Sequence, residues 1–314
     1  MSRARFCVCV PARNEAARLP VLLGALAAQD LGQRTPVFVW VNDTPSADAT
    51  EERLHAARMR FADRLDLRWR IDAEASTVPH AGAARKAVMD WGAAELGPDG
   101  VLISTDADTR PPPDWVRLTL EALDGPADVI GGRLARDDRD PGDEALERQA
   151  RLWDDYWTAV RAIEDALDPR AWDPPPRHGD HTGASLAMTA TTYEAAGGVP
   201  LLPTGEDRAL VDAARATGAL LAHPHDVWTR VSVRLAGRAA GGMADELVRR
   251  KAAAGLPIMA PSLDHWRRRA LWRRRTRGAS GDDRRVAIEE RDLPALPCDM
   301  NLAGWASSAG REAA

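Results

Sequence analysis

The segment Phe6-Cys7-Val8-Cys9-Val10-Pro11-Ala12-Arg13-Asn14-Glu15 is an apolar run closed by proline and a polar turn. Consecutive apolar residues without alternation read as a strand buried on both faces, the pattern of a parallel sheet. From Asn14 to Ala28 the spacing changes. Leu19, Leu22, Leu23 and Leu26 recur at helical intervals, which predicts a helix starting near Asn14 or Glu15. The theme then repeats. Val37–Val41 predicts a second strand, Asn42-Asp43-Thr44-Pro45 a turn, and Leu54, Arg58 and Phe61 one face of a helix. Leu65, Leu67, Trp69 and Ile71 alternate as a third strand, a helix follows over about 81–95, and Val101-Leu102-Ile103-Ser104 is a fourth strand. Strands alternating with helices imply an α/β fold with a mostly parallel central sheet flanked by helices.

Beyond Gly132 the pattern changes. Asp137–Asp143 reads as an acidic loop, and Trp153, Trp157, Val160 and Leu167 mark a helix. The stretch 169–180 is rich in proline and charge, long enough for a lid or binding loop. Thr182–Thr189 and Val227–Val233 predict further strands, with a helix through Arg208-Ala209-Leu210 between them. The expected organisation is a domain over 1–245, with halves of about 1–132 and 133–245. A basic helical extension follows over 246–281, then a tail over 282–314 expected to be extended or poorly ordered.

The 314 residues, 45% hydrophobic and 28% charged, exclude a disordered, collagen-like or disulfide-scaffold chain. A net charge of -5 argues against general nucleic-acid binding, so no nucleic-acid partner is expected. Three cysteines suit a reducing compartment, no apolar run approaches a membrane span, and a cytoplasmic location is expected. Cys7 and Cys9 lie on one face of the first strand, as core residues or as half of a metal site.

In parallel sheets ligands bind beyond the carboxyl ends of the strands. Here those positions are Pro11-Ala12-Arg13-Asn14-Glu15, Asn42-Asp43, Asp72 and Thr105-Asp106-Ala107-Asp108. There is no glycine-rich phosphate loop and no dinucleotide fingerprint, which disfavours P-loop and Rossmann enzymes. Asp106 and Asp108 can face one divalent cation, or serve as ordinary turn residues. Thr204-Gly205-Glu206-Asp207 opens a helix, and its carboxylates read either as a cap or as a general base.

These motifs, with Gly82-Ala83-Ala84-Arg85-Lys86 and the segment His181–Gly198, stand in the order found in family-2 glycosyltransferases. The chain resembles that family over about residues 5–245, and the resemblance implies a GT-A fold. It further implies transfer of a sugar from a UDP- or GDP-sugar to a hydroxyl acceptor, with Mg2+ or Mn2+ and inversion at the sugar. Carried over residue by residue, Pro11, Ala12, Arg13, Asn14, Glu15 and Asp43 would embrace the nucleoside. Gly82 and Arg85 would lie beside the donor, Arg85 at its phosphates, with Ala107 between the metal-binding Asp106 and Asp108. Asp207 would be the catalytic base, with Glu206 beside it. His181, Thr182, Gly183 and Ala184 would meet the acceptor. Water exclusion would come from the 169–180 loop or from the segment after His223.

His223-Pro224-His225 follows an apolar run; His225 is a candidate third metal ligand or an ordinary surface histidine. His178 and His181 flank Asp180, where a zinc site is conceivable. Arg230, Arg234 and Arg238 read as phosphate clamps or as a solvated face. Between Asp245 and Arg277 ten basic residues face three acidic ones, and Trp266–Arg277 is a candidate for peripheral contact with an anionic membrane. Its charges read as surrounding the helix rather than forming one face. The rival readings are a sugar nucleotidyltransferase and a non-catalytic binder of glycans or lipids.

Overall fold

A computed structural model of the chain describes residues 5–42, 48–72, 81–234 and 241–312. The elements run β1 (Phe6–Ala12), α1 (Leu19–Ala27), β2 (Thr35–Val41), α2 (Thr50–Arg60), β3 (Leu65–Ile71), α3 (Ala81–Leu96), β4 (Val101–Ser104) and α4 (Trp115–Leu123). Then come β5 (Val129–Gly131), β6 (Arg133–Arg136), α5 (Glu144–Leu167), β7 (Leu186–Thr189), α6 (Ala190–Ala195), α7 (Glu206–Thr217), β8 (Leu221–Ala222) and β9 (Trp228–Val231). The chain finishes with α8 (Met243–Ala252), β10 (Met259–Ala260), α9 (Leu263–Ser280), α10 (Asp283–Arg291), β11 (Met300–Asn301) and α11 (Leu302–Glu312).

Seven strands form the central sheet in the order β3-β2-β1-β4-β7-β5-β8. β1 is buried on both faces, as its unbroken apolar run requires. Val8 and Val10 pack under α1 and α2, whereas Cys7 and Cys9 belong to the layer beneath α3. A Cβ on Gly92 of α3 would stand 2.8 Å from Cys7 Sγ, so helix and strand meet backbone to side chain. The two thiols are core residues. Among the described residues no group of three or more His, Cys, Asp or Glu is placed to hold a metal ion.

β7 runs antiparallel to both β4 and β5, with Ser104 opposite Leu186 and Gly131 opposite Leu186. This reversal positions the site. Because β7 is inverted, the residues leading into its amino end arrive at the carboxyl edge of β4. The strand is shorter than predicted. Thr182–Ser185 forms a turn, closed by the Ser185 N–H donating to the Thr182 carbonyl, rather than a strand.

α1 begins four or five residues later than predicted, since Asn14 takes a left-handed φ of 53° and the Glu15 carbonyl accepts from the N–H groups of Arg18 and Leu19. The acidic loop is anchored by two of its carboxylates. Asp137 and Asp140 are buried, the first paired with Arg110 and Arg139, the second with Arg18 and Ser232. Burial opposes the charge of Asp137, but the two guanidiniums and the Arg139 N–H outweigh it and hold its carboxyl well below the usual range.

The 169–180 loop, expected as a lid, is tethered. Arg177 is 4% exposed and binds Asp165 and Glu164, while Arg170 reaches Glu164 and Asp173. The tail expected to be extended or poorly ordered is helical. Val286 of α10 and Leu302 of α11 are fully buried, and Trp305 packs edge-on against Tyr156 of α5. Their apolar positions are too few per turn to register as periodicity, so tertiary contact decides the structure. No helix among the described residues is long and apolar enough to cross a membrane.

Candidate functional site

Arg85, one turn into α3, is the hub of the site. Its guanidinium is 5% exposed, yet it makes four hydrogen bonds. Nε donates to Glu206 Oε1 at 3.1 Å, Nη1 to Ser104 Oγ at 2.7 Å and the Gly183 carbonyl at 3.0 Å, and Nη2 to Asp106 Oδ1 at 2.7 Å. One side chain thus joins the end of β4, the turn before β7 and the start of α7. Burial opposes its charge, but Asp106 and Glu206 overcome that and hold the proton more tightly than in water. A Cβ on Gly183 would lie 2.2 Å from Arg85 Cζ, so only glycine fits there. Four of the five N–H donors of Arg85 are spent on protein groups, which makes it a strut rather than the phosphate ligand that the sequence reading considered.

Asp207 lies beside this hub. Its Oδ2 accepts from the Gly183 N–H at 2.7 Å, and its Oδ1 from the Arg208 N–H at 2.7 Å. Glu206, in contrast, is 5% exposed and committed to Arg85. The two neighbouring acids therefore have different situations: Glu206 is internal and neutralised, Asp207 half-buried and held by backbone amides.

Asp108 faces a second guanidinium. Arg234 Nη2 lies 3.1 Å from Asp108 Oδ2 and 3.0 Å from Glu15 Oε1, tying the first turn to the Asp106–Asp108 turn. Arg234 is thus neither a free clamp nor part of a solvated face. Burial, then Asp106, push the Asp108 carboxyl up to about 6 against the pull of Arg234, with Glu15 adding to the repulsion. Three carboxylates, Asp106, Asp108 and Glu15, thus act on one another at this turn, with Arg234 between Asp108 and Glu15.

The remaining expected residues divide. Ala12 and Ala107 are buried and Pro11 half-buried, while Arg13 is exposed on the β1 turn. The Glu15 N–H donates to Thr50 Oγ1, which seats the turn on α2. Gly82 is buried at the start of α3. The Ala184 carbonyl accepts from Thr105 Oγ1 at 2.8 Å, so the acceptor segment is fastened to the Asp106 turn. Asp43 and Arg238 lie outside the described residues.

His225 is not brought to the acidic pair. It is exposed on the turn after β8 and lines a depression of about 300 Å³ with Asp114, Leu118, Arg133, Asp226 and Trp228. Pro224 turns the chain between the two histidines, and His223 points inward instead, buried against Asp173 and His181. Sequence reasoning missed Asp173, whose only signal was a lone acid in a proline-rich loop.

A family model described as Glycosyl transferase family 2 matches residues 7–183. No curated protein matches the chain. Among solved structures, the fold is similar to the mannosyltransferase PcManGT from Pyrobaculum calidifontis in complex with GDP-Man and Mn2+. That likeness has a TM-score of 0.53 and 17% identity, covering 100% of this chain and 81% of that one. It is also similar to S. aureus TarS 1-349 in complex with UDP, with a TM-score of 0.51 and 14% identity over 88% of this chain and 72% of that one. At such identities the likeness establishes the fold, which is of the GT-A type.

Proposed function

The chain belongs to glycosyl transferase family 2, and from that premise we propose that it moves a sugar from a nucleotide-sugar donor to a hydroxyl acceptor with inversion, Asp207 acting as the base. The observation that carries this is the Arg85 hub. Through it and Gly183, acids far apart along the chain, Asp106 after β4 and Glu206-Asp207 at the start of α7, join one hydrogen-bonded network.

Asp106 and Asp108 would hold Mg2+ or Mn2+. Asp106 is 38% exposed, and Asp108, though paired with Arg234, is repelled by Asp106 and Glu15, a crowding of carboxylates that a divalent ion would relieve. A divalent ion there stabilises the charge that grows on a departing diphosphate. The ions and nucleotides named for PcManGT and TarS support the same donor class, a UDP- or GDP-sugar. The turn Pro11–Glu15 lies at the carboxyl edge beside Asp106–Asp108 through Arg234, where it can face the nucleoside.

The division of labour within Glu206-Asp207 follows from their partners. Glu206, buried on Arg85, positions the guanidinium that orients Asp106. Asp207 keeps its carboxylate fixed by two N–H groups and takes the proton as the acceptor oxygen attacks. In an inverting reaction the base and the leaving group sit on opposite faces of the sugar; Asp207 would serve the first, and Asp106 with Asp108 the second. The turn His181–Ala184 would meet the acceptor.

Screening UDP- and GDP-sugars with Mn2+ by thermal unfolding tests the assignment. A donor at one hundred times its dissociation constant stabilises the fold by about 2.7 kcal/mol. No shift with any sugar nucleotide, alongside intact folding, would refute it.

A further inference from the structure

Two polar side chains that the scheme above leaves unused lead to His181, at the start of the acceptor turn. The first is Asp173, 2% exposed in the tethered loop and flanked by Arg170 and Arg177 at 3.4 and 3.7 Å. Asp173 grips His223 with both oxygens: Oδ1 accepts the backbone N–H at 2.7 Å, and Oδ2 lies 3.1 Å from Nδ1. The far nitrogen of His223, Nε2, lies 3.3 Å from His181 Nδ1. His181 stands two residues before Gly183, whose N–H holds Asp207.

We propose that Asp173 and His223 are positioning residues that lock the tautomer of His181, so that His181 Nε2 presents a bare lone pair to the hydroxyl acceptor. The inference rests on the glycosyl-transfer reading and adds to it the group that receives the acceptor. The logic is one of donors and acceptors. With both rings taken as neutral, Asp173 can only accept, so the proton of His223 sits on Nδ1 and its Nε2 is bare. A bare Nε2 can only accept, so the proton of His181 sits on its Nδ1. Neutral His181 is then left with an unprotonated Nε2.

Two further observations point this nitrogen toward a ligand. His181 Nε2 takes no side-chain hydrogen bond among the described residues, and it is not sealed from solvent. The neighbouring Thr182 Oγ1 is buried without a partner, so consecutive residues of the turn hold polar capacity that the protein does not use. Burial leads in pushing the His181 ring down to about 4, so the ring is neutral near pH 7.

Long-range nitrogen–proton NMR of the full chain labelled at histidine nitrogen reads the tautomer near neutral pH, independently of turnover. The expected result is a protonated Nδ1 and bare Nε2 at His181, with that preference lost in Asp173→Asn. A protonated Nε2 or the shift of a metal-bound nitrogen at His181, or an imidazolium at either His181 or His223, would overturn the proposal. Donor hydrolysis, with water as the hydroxyl probe and UDP-glucose and GDP-mannose as donors, gives the functional arm. His181→Ala should lower the maximal rate about tenfold with donor KM unchanged. His181→Gln, whose carbonyl can accept where Nε2 did, should recover most of that loss. A rate unchanged in His181→Ala, or an effect on donor KM alone, would overturn the proposal. Correct tautomers in a chain that turns over neither donor would count against glycosyl transfer itself, and would leave the proposal without its acceptor.

Discussion

At the scale of single residues, the site depends on one buried cation. Replacing Arg85 by alanine strands Glu206 without a counter-charge in the interior, at a cost of about 3–5 kcal/mol. Chemical denaturation would read this as a lower midpoint. Gly183→Ala forces a methyl into the Arg85 guanidinium and should abolish donor turnover, because the strut that orients Asp106 must move. Asp207→Asn behaves differently. It should leave the unfolding temperature within a few degrees of the parent and reduce turnover by about 100-fold or more. The acids of this site were legible in the sequence because they follow strands or open a helix. Their partners were not: Arg85 to Glu206 spans 121 positions and Arg234 to Glu15 spans 219, and no local pattern encodes such pairings. His225 shows the converse error, where a plausible metal ligand is turned outward by the proline beside it.

At the scale of elements, the C-terminal helices illustrate how charge is shared between structure and surface. The arginines of α9 form two faces, not a uniform cuff. Arg269, Arg273 and Arg277 turn inward to Glu290, Glu164, Asp168 and Asp283, while Arg267, Arg268, Arg274 and Arg275 are exposed. Any contact with an anionic membrane surface would fall to this outer face. Burial opposes the charge of Arg273, but Glu290 and Glu164 overcome it and tighten its proton. Arg273→Ala should therefore destabilise by about 1–3 kcal/mol, because Glu164 keeps Arg170 and Arg177 and Glu290 keeps Arg269, whereas Arg268→Ala should stay within about 0.5 kcal/mol of the parent. Equal effects in thermal unfolding would refute the division into faces. The strands were legible as uninterrupted or alternating apolar runs. The inversion of β7 was not, because a buried strand reads the same in either direction, yet that inversion delivers Gly183 to Arg85.

At the scale of the whole molecule, the two half-sites are joined by titratable groups, so stability should follow pH with a defined sign. Burial leads the lowering of His178 to about 3 and of His181 to about 4. Between those values and about 6.5 the unfolded chain binds more protons than the folded one, so this contribution is present above about 6.5 and is lost as pH falls. Asp108 acts in the opposite sense between 3.8 and about 6, where the folded carboxyl holds its proton and stability falls as pH rises. Unfolding temperature should therefore decline from neutral pH toward 5, and His178→Gln should flatten the decline. A steeper decline in that variant would show that the imidazole is not the group responsible.

The central claim is that Asp106, Asp108 and Asp207 serve one transfer reaction. Release of nucleoside diphosphate from UDP-glucose and GDP-mannose in the presence of Mn2+, compared among the parent, Asp108→Ala and Asp207→Asn, tests it most directly. The account predicts release by the parent and its collapse in both variants, with each still folded. Release at the parental rate from either variant, or none from the parent with any sugar nucleotide, would contradict it.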